Sequence, residues 1–192
     1  MRTITEQDYR DAARKLGCEV AVVKAVAEVE SRGGGFNPDG SPKTLFEGHW
    51  FYKLTKEPYS KTHPHLSYRR WTRKYYGKTW QAEQARLKEA MSLNRAAAIQ
   101  SASWGVFQIM GFHWKKLGYE SIEDFYCQML ESEGKHLDAF VRYVIAFRLD
   151  DELRQKDWAR FAHGYNGPKY YINKYDTKMK KAYLKHLKNE LR

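Results

Sequence analysis

The stretch Glu19-Val20-Ala21-Val22-Val23-Lys24-Ala25-Val26-Ala27-Glu28-Val29-Glu30-Ser31, followed after Arg32 by Gly33-Gly34-Gly35, decides how this chain is read. Its valines and alanines predict a helix from Glu19 to Ser31 that the glycines stop. Val23, Val26 and Ala27 stand seven, four and three residues before Glu30 and share its helical face. A carboxyl therefore closes an apolar stripe beside a glycine turn. Burial disfavours the ionised form of a carboxyl, which is how a general acid keeps its proton near neutrality. The structural alternative is that Glu30 caps its helix or pairs with a cation such as Arg32. Glu28, four residues after Lys24, reads as half of an exposed charged pair.

Outward from this helix, most of the chain has helical periods. Thr5 caps a first helix to about Leu16, with Glu6 and Asp8 in its first turn. Asn37-Pro38-Asp39-Gly40-Ser41-Pro42 is a dense turn signal before Lys43-Thr44-Leu45-Phe46-Glu47, and predicts a tight loop or small hairpin. Helices are expected around His49 to Leu54, from Thr79 to Asn94, and from the capping box at Ser121 to about Arg148 with a bend near Gly134. Two more run over Asp157 to His163 and Tyr170 to Leu191, divided by Gly167-Pro168. The expected fold class is mainly α: one helical domain with at most a small β-hairpin.

The chain has 192 residues, 42% hydrophobic and 15% aromatic, enough to fill the core of one domain and to exclude a disordered basic tail. Its net charge is +11, and two segments carry it: Phe51 to Trp80 sums to +7, Pro168 to Arg192 to +6, and the remainder to −2. A near-neutral scaffold with two cationic stretches implies a polyanionic partner. No apolar run approaches the roughly 18 residues that cross a bilayer, and no secretory leader is visible at the start. Cys18 and Cys127 read as buried free thiols. The scattered histidines show no metal-ligand spacing, so neither metal nor cofactor is expected.

Two further segments have chemistry-bearing patterns. Ser103-Trp104-Gly105-Val106-Phe107-Gln108-Ile109-Met110-Gly111 sets one uncharged hydrogen-bonding side chain, Gln108, among apolar residues with glycines nearby. Such a piece suits close approach to a sugar, and equally a buried turn. Phe161-Ala162-His163-Gly164-Tyr165-Asn166-Gly167 places a phenol and an amide together at a helix end; Asn166 as a helix cap and Tyr165 as a core ring are the structural alternative.

In this order, Glu30-Ser31, Gly105-Val106-Phe107-Gln108 and Tyr165-Asn166-Gly167 resemble the Glu-Ser, Gly-x-x-Gln and Ala-Tyr-Asn motifs of goose-type lysozymes and lytic transglycosylases, with Gly164 where the third motif has Ala. More closely, Val29 to Phe36, Asp39 to Phe51 and Ser101 to Gly111 are similar to the catalytic domain of phage endolysins of the N-acetylmuramidase family. The resemblance implies a lysozyme-like fold and cleavage of the β-1,4 bond between N-acetylmuramic acid and N-acetylglucosamine in peptidoglycan. Glu30 would be the general acid. Glu47 is the first candidate for a second carboxylate and Asp39 the next; Glu47 reads equally as a buried carboxylate that fixes its loop through backbone N–H groups. Hydrolysis and transglycosylation to 1,6-anhydro products both stay open, because the substrate's acetamido group can replace a second carboxylate. Gln108, Tyr165, Asn166 and Gly105 would position the sugars, and Trp104, Trp50 and Trp71 are either stacking platforms or core.

The resemblance also implies a monomer without cofactors, made in the host cytoplasm and released to the wall by a holin. Residues 1–168 would be the catalytic domain and 169–192 a cationic amphipathic helix, docked on it or appended. Ile172, Tyr175, Met179, Ala182, Tyr183 and Leu187 share one face of that helix, which either packs or binds lipopolysaccharide or anionic lipid. The basic aromatic run Tyr68 to Tyr76 admits a nucleic-acid-binding module as the competing class, but no signature of such a module accompanies it, and it leaves Glu30, Gln108 and Asn166 without a role.

Overall fold

The computed structural model describes residues 3–31, 33–56 and 58–190. Arg32, the cation named above as a partner for Glu30, and Leu191, the expected end of the last helix, lie outside the described residues. The helices are α1 (Glu6–Leu16), α2 (Val20–Glu30), α3 (Gly48–Thr55), α4 (Trp80–Leu93), α5 (Arg95–Gln100), α6 (Ile122–Glu131), α7 (Glu133–Ala146), α8 (Asp150–Gln155), α9 (Trp158–Asn166) and α10 (Tyr175–Glu190). The strands are β1 (Thr44–Phe46), β2 (Ala102–Trp104) and β3 (Ile109–Met110), and two 3₁₀ turns cover Gly111–His113 and Tyr170–Asn173. The chain divides into two compact units, Met1–Gly34 with Ser132–Arg192, and Gly35–Glu131.

In the first unit, α1 opens as its sequence predicts. The Asp8 N–H donates to Thr5 Oγ1 at 3.2 Å while the Thr5 N–H donates to Asp8 Oδ2 at 2.8 Å, a reciprocal cap. Helix α2 is the centre of this unit: Ala21, Val22, Val23, Ala25, Val26 and Ala27 are all buried. Helix α10 packs along α2 and α9 and buries Met179 and Ala182. The segment after residue 168 thus belongs to the compact unit that contains α2. Its packing corrects the partner expected for Glu28, whose carboxylate accepts from Lys185 Nζ at 2.9 Å and lies 2.8 Å from His186 Nε2. Lys24 goes instead to Glu6 on α1, at 2.9 Å. The helix expected from Ser121 to Arg148 breaks at Ser132, whose hydroxyl caps α7 by accepting from the Lys135 N–H. Helix α9 runs three residues beyond its expected end and includes Tyr165 and Asn166.

In the second unit the expected hairpin is a three-stranded antiparallel sheet in the order β1-β2-β3, with Thr44 opposite Trp104 and Ser103 opposite Met110. The third strand arises because Gly105 and Gln108, both at positive φ (70° and 50°), turn the chain back after Trp104. Gly111 then passes so close to α5 that a Cβ there would lie 2.1 Å from the Ile99 carbonyl oxygen, which requires glycine. Glu83 on α4 ties the unit together from within. It is 7% exposed, pairs with Arg86 at 2.7 Å, and accepts from the backbone N–H groups of Phe46 and Gly77.

Cys18 and Cys127 are free; Cys18 is half-buried, but Cys127 is exposed, contrary to the expectation for it. Among the described residues no helix is long and apolar enough to cross a membrane.

Candidate active site

Glu30 ends α2 because the chain turns immediately after it: Gly33 and Gly34 take φ of 80° and 77°, a left-handed pair that only glycine adopts cheaply. The acid thus projects from the terminus of a buried helix and is itself half-buried. Asn166, the last residue of α9, donates from Nδ2 to Glu30 Oε1 at 3.2 Å. The other atom of that amide, Asn166 Oδ1, is buried and has no hydrogen-bond partner among the described residues. A buried acceptor left unpaired costs about 1–3 kcal/mol, so this oxygen is an acceptor in want of an N–H donor.

Tyr165 completes the group. Its ring stacks on Phe161 at 5.6 Å and meets Phe140 and Tyr143 edge-on, both at 5.5 Å. Burial, and then the charge of Glu30, push its pKa well above the ordinary phenol value, so the hydroxyl stays protonated. At Gly164, where the resembling motif has Ala, a Cβ would lie 2.4 Å from Leu149 Cδ2, so that side chain would have to shift to admit it. The structure therefore brings together Glu30, Tyr165 and Asn166, three residues separated by some 135 positions in sequence.

The remaining site residues belong to the second unit. Glu47 precedes α3 without capping it through its side chain, and no backbone N–H bond to its carboxylate is found among the described residues. Instead the Tyr76 hydroxyl donates to Glu47 Oε1 at 2.8 Å, and His49 Nδ1 stands 3.3 Å from Oε2, too poorly aligned for a hydrogen bond. Desolvation holds the His49 pKa below its usual value, outweighing the attraction of Glu47. Burial and Glu47 both raise the Tyr76 pKa. The loop-fixing function considered for Glu47 is performed by Glu83. Neither Tyr76 nor Glu83 is among the residues the sequence leads one to expect at the site. Tyr76 has no local signal within its basic loop, whereas Glu83 and Arg86 show as charges on the apolar face of Leu87 and Ala90.

Asp39 is exposed and accepts from the Ser41 N–H at 2.9 Å and the Ser41 hydroxyl at 2.6 Å, which hold its pKa below the usual value. It shapes its own turn. Gln108 is exposed, and its amide bonds the turn around it, accepting from Ser103 Oγ at 2.7 Å and donating to the carbonyls of Gly105 at 2.9 Å and Lys43 at 3.4 Å. With Gly105, whose N–H donates to Lys43 O at 2.8 Å, it fixes the β2–β3 turn. Trp104 is corrected from stacking platform to core: it is 2% exposed and its indole donates to Ile99 O at 3.0 Å. Trp50 is half-buried with its ring 4.4 Å from Phe112, and Trp71 is exposed.

The carboxyl held by an amide beside a neutral phenol is an arrangement suited to protonating a leaving oxygen while reading an amide-bearing substrate. The Muramidase family profile, described as N-acetylmuramidase, matches residues 19–187, from the residue before α2 into α10. No curated protein matches. Among solved structures, that of a Burkholderia AP3 phage endolysin is similar at 41% identity and a TM-score of 0.91, over 98% of this chain and 72% of that one. Since the profile covers most of the sequence and includes all three residues gathered at the end of α2, the chain belongs to the N-acetylmuramidase family.

Proposed function

We propose that this muramidase is a phage endolysin that hydrolyses the β-1,4 bond between N-acetylmuramic acid and N-acetylglucosamine in bacterial peptidoglycan, with Glu30 as the general acid. The observation that carries the assignment is the unpartnered buried Asn166 Oδ1 next to the acid. It accepts the N–H of a substrate acetamido group, and a sugar lacking that group leaves it unpaired, which discriminates strongly against plain sugars. Tyr165 keeps a protonated hydroxyl at the same place. Glu30 gives its proton to the glycosidic oxygen as the ring becomes oxocarbenium-like.

Glu47 is the second carboxylate of this reading, supported by its shielding from solvent and by the Tyr76 hydroxyl that fixes one of its oxygens. Gln108, held in place by its bonds within the β2–β3 turn, and Gly105 position the sugars in this reading. The protein works as a monomer on the wall of its host, reached from the host cytoplasm, and its cationic surfaces hold it to anionic wall or lipopolysaccharide.

Mass spectrometry of a peptidoglycan digest tests the reaction. Products ending in reducing muramic acid are expected. A 1,6-anhydro end would assign the transglycosylase reaction to the same site, and no release of muropeptides would refute the reading.

A further inference from the structure

A cleft of about 550 Å³ lies between the last turn of α2 and α10, lined by Glu28, Val29, Lys178, Lys181, Ala182 and Lys185. Val29 and Ala182 give it an apolar floor. The three lysines stand at i, i+3 and i+7 of α10 and so share one face. Lys185 is paired with Glu28 at 2.9 Å, and Glu28 is the one carboxylate in the lining. Lys178 and Lys181 are exposed and have no carboxylate partner among the described residues; the Lys178 ammonium lies 5.9 Å from the Tyr175 ring centre. Three cations against one anion leave the cleft with a surplus of two positive charges. Val29 precedes Glu30 on α2 and stands about 100° round the helix from it, so the surplus lies on another side of the helix end that presents the acid, about one helix diameter (~10 Å) away, which a peptide of about four extended residues spans.

We propose that this cleft is a binding site for the free carboxylates of the peptide stem attached to the muramic acid residue being cut. The proposal rests on the muramidase reading and names a part of the substrate that the reading leaves unassigned. A stem leaves the glycan on the lactyl ether of the muramic acid. Its free carboxylates are the negative groups of the substrate nearest the scissile bond, and its aliphatic side chains match the apolar floor. Lys178 and Lys181 meet the carboxylates, while Glu28 keeps Lys185 as a fixed wall.

The test compares two substrates, purified peptidoglycan with its stems and the same glycan stripped of stems by an amidase, which leaves only the lactyl carboxylate on each muramic acid, and two variants. Lys178→Gln/Lys181→Gln empties the cleft of its unpaired charge. Lys115→Gln/Lys180→Gln removes two exposed lysines elsewhere and controls for net charge. The wild type and the control are expected to show a lower KM on the stem-bearing substrate than on the stripped one. The cleft variant should lose that preference, with KM on the stem-bearing substrate rising about threefold to tenfold and kcat on the stripped glycan unchanged. Equal loss on both substrates by the cleft variant, or equal loss of preference in the control, would overturn the proposal. So would an unchanged preference accompanied by weaker binding to phosphatidylglycerol vesicles, which would make the cleft a lipid site. Failure of the wild type to cut either substrate would instead refute the muramidase reading itself.

Discussion

Asn166 touches the acid with one end of its amide, and the other end is buried without a partner among the described residues. Asn166→Ala should lower kcat/KM on peptidoglycan by about tenfold to a hundredfold, because it removes both the bond to the acid and the acceptor for the acetamido N–H, each worth about 0.5–1.5 kcal/mol. The variant should keep its thermal transition, and steady-state kinetics beside a melting curve checks both. Glu47 has its own expected outcome. Glu47→Gln retains the shape of the side chain and an oxygen for Tyr76 to bond, so folding is preserved while activity falls more than about tenfold if the carboxylate takes part in the chemistry. Near-full activity would remove Glu47 from the reaction and leave it as an anchor for Tyr76.

Helix α10 contributes to the fold before it contributes charge. Met179 is fully buried, Tyr183 donates to Glu19 at 2.7 Å, and Lys185 and His186 hold Glu28, so α10 covers an otherwise apolar side of α2. Deleting Tyr170 onward should abolish digestion of bare peptidoglycan and killing of permeabilised cells alike, and circular dichroism should show lost helix beyond the deleted segment. An intact, active truncated protein would contradict this packing. The sequence made some of these elements legible and hid others for physical reasons. The apolar face leading to Glu30 is a local signal, as are the Thr5 cap and the glycines after Ser31. The partners of Glu28 are not legible because they arrive from some 157 residues away, a distance over which no periodicity speaks. Helix α8 is not legible because it is short and opens with Asp150, Asp151 and Glu152, which read as a loop. Trp104 has the residue type of a sugar platform, and only the register of β2 against β1 and its packing on Phe125 show it to be core. Tyr76 needed the long loop to fold back on Glu47, a contact between residues 29 apart.

At the scale of the whole molecule, charge governs both stability in acid and the address of the enzyme. Burial pushes His113 down to about 4 and lowers His49, so as pH falls below the usual histidine value near 6.5 the unfolded chain takes up protons that the folded chain refuses. Stability is thus lost from about pH 6.5 toward 4. Hydrogen bonds from Lys185 to Glu28 and from Lys156 to Glu19 hold those carboxylates below their usual values, so their stabilising contribution is lost at lower pH still, below about 4. The melting temperature should therefore decline in two stages on acidification; His113→Gln should flatten the first and Glu28→Gln the second. The +11 net charge is carried by one cationic stretch in each compact unit, Phe51 to Trp80 in one and Pro168 to Arg192 in the other, which suits a basic enzyme held on a polyanionic wall. The chemistry itself depends on one carboxyl. Turbidity loss of purified peptidoglycan with wild type and Glu30→Gln at equal folded concentration measures this most directly. The variant should be slower by about 10²–10⁴-fold with an unchanged melting temperature, whereas lysis by Glu30→Gln at the wild-type rate would contradict the assignment of the acid.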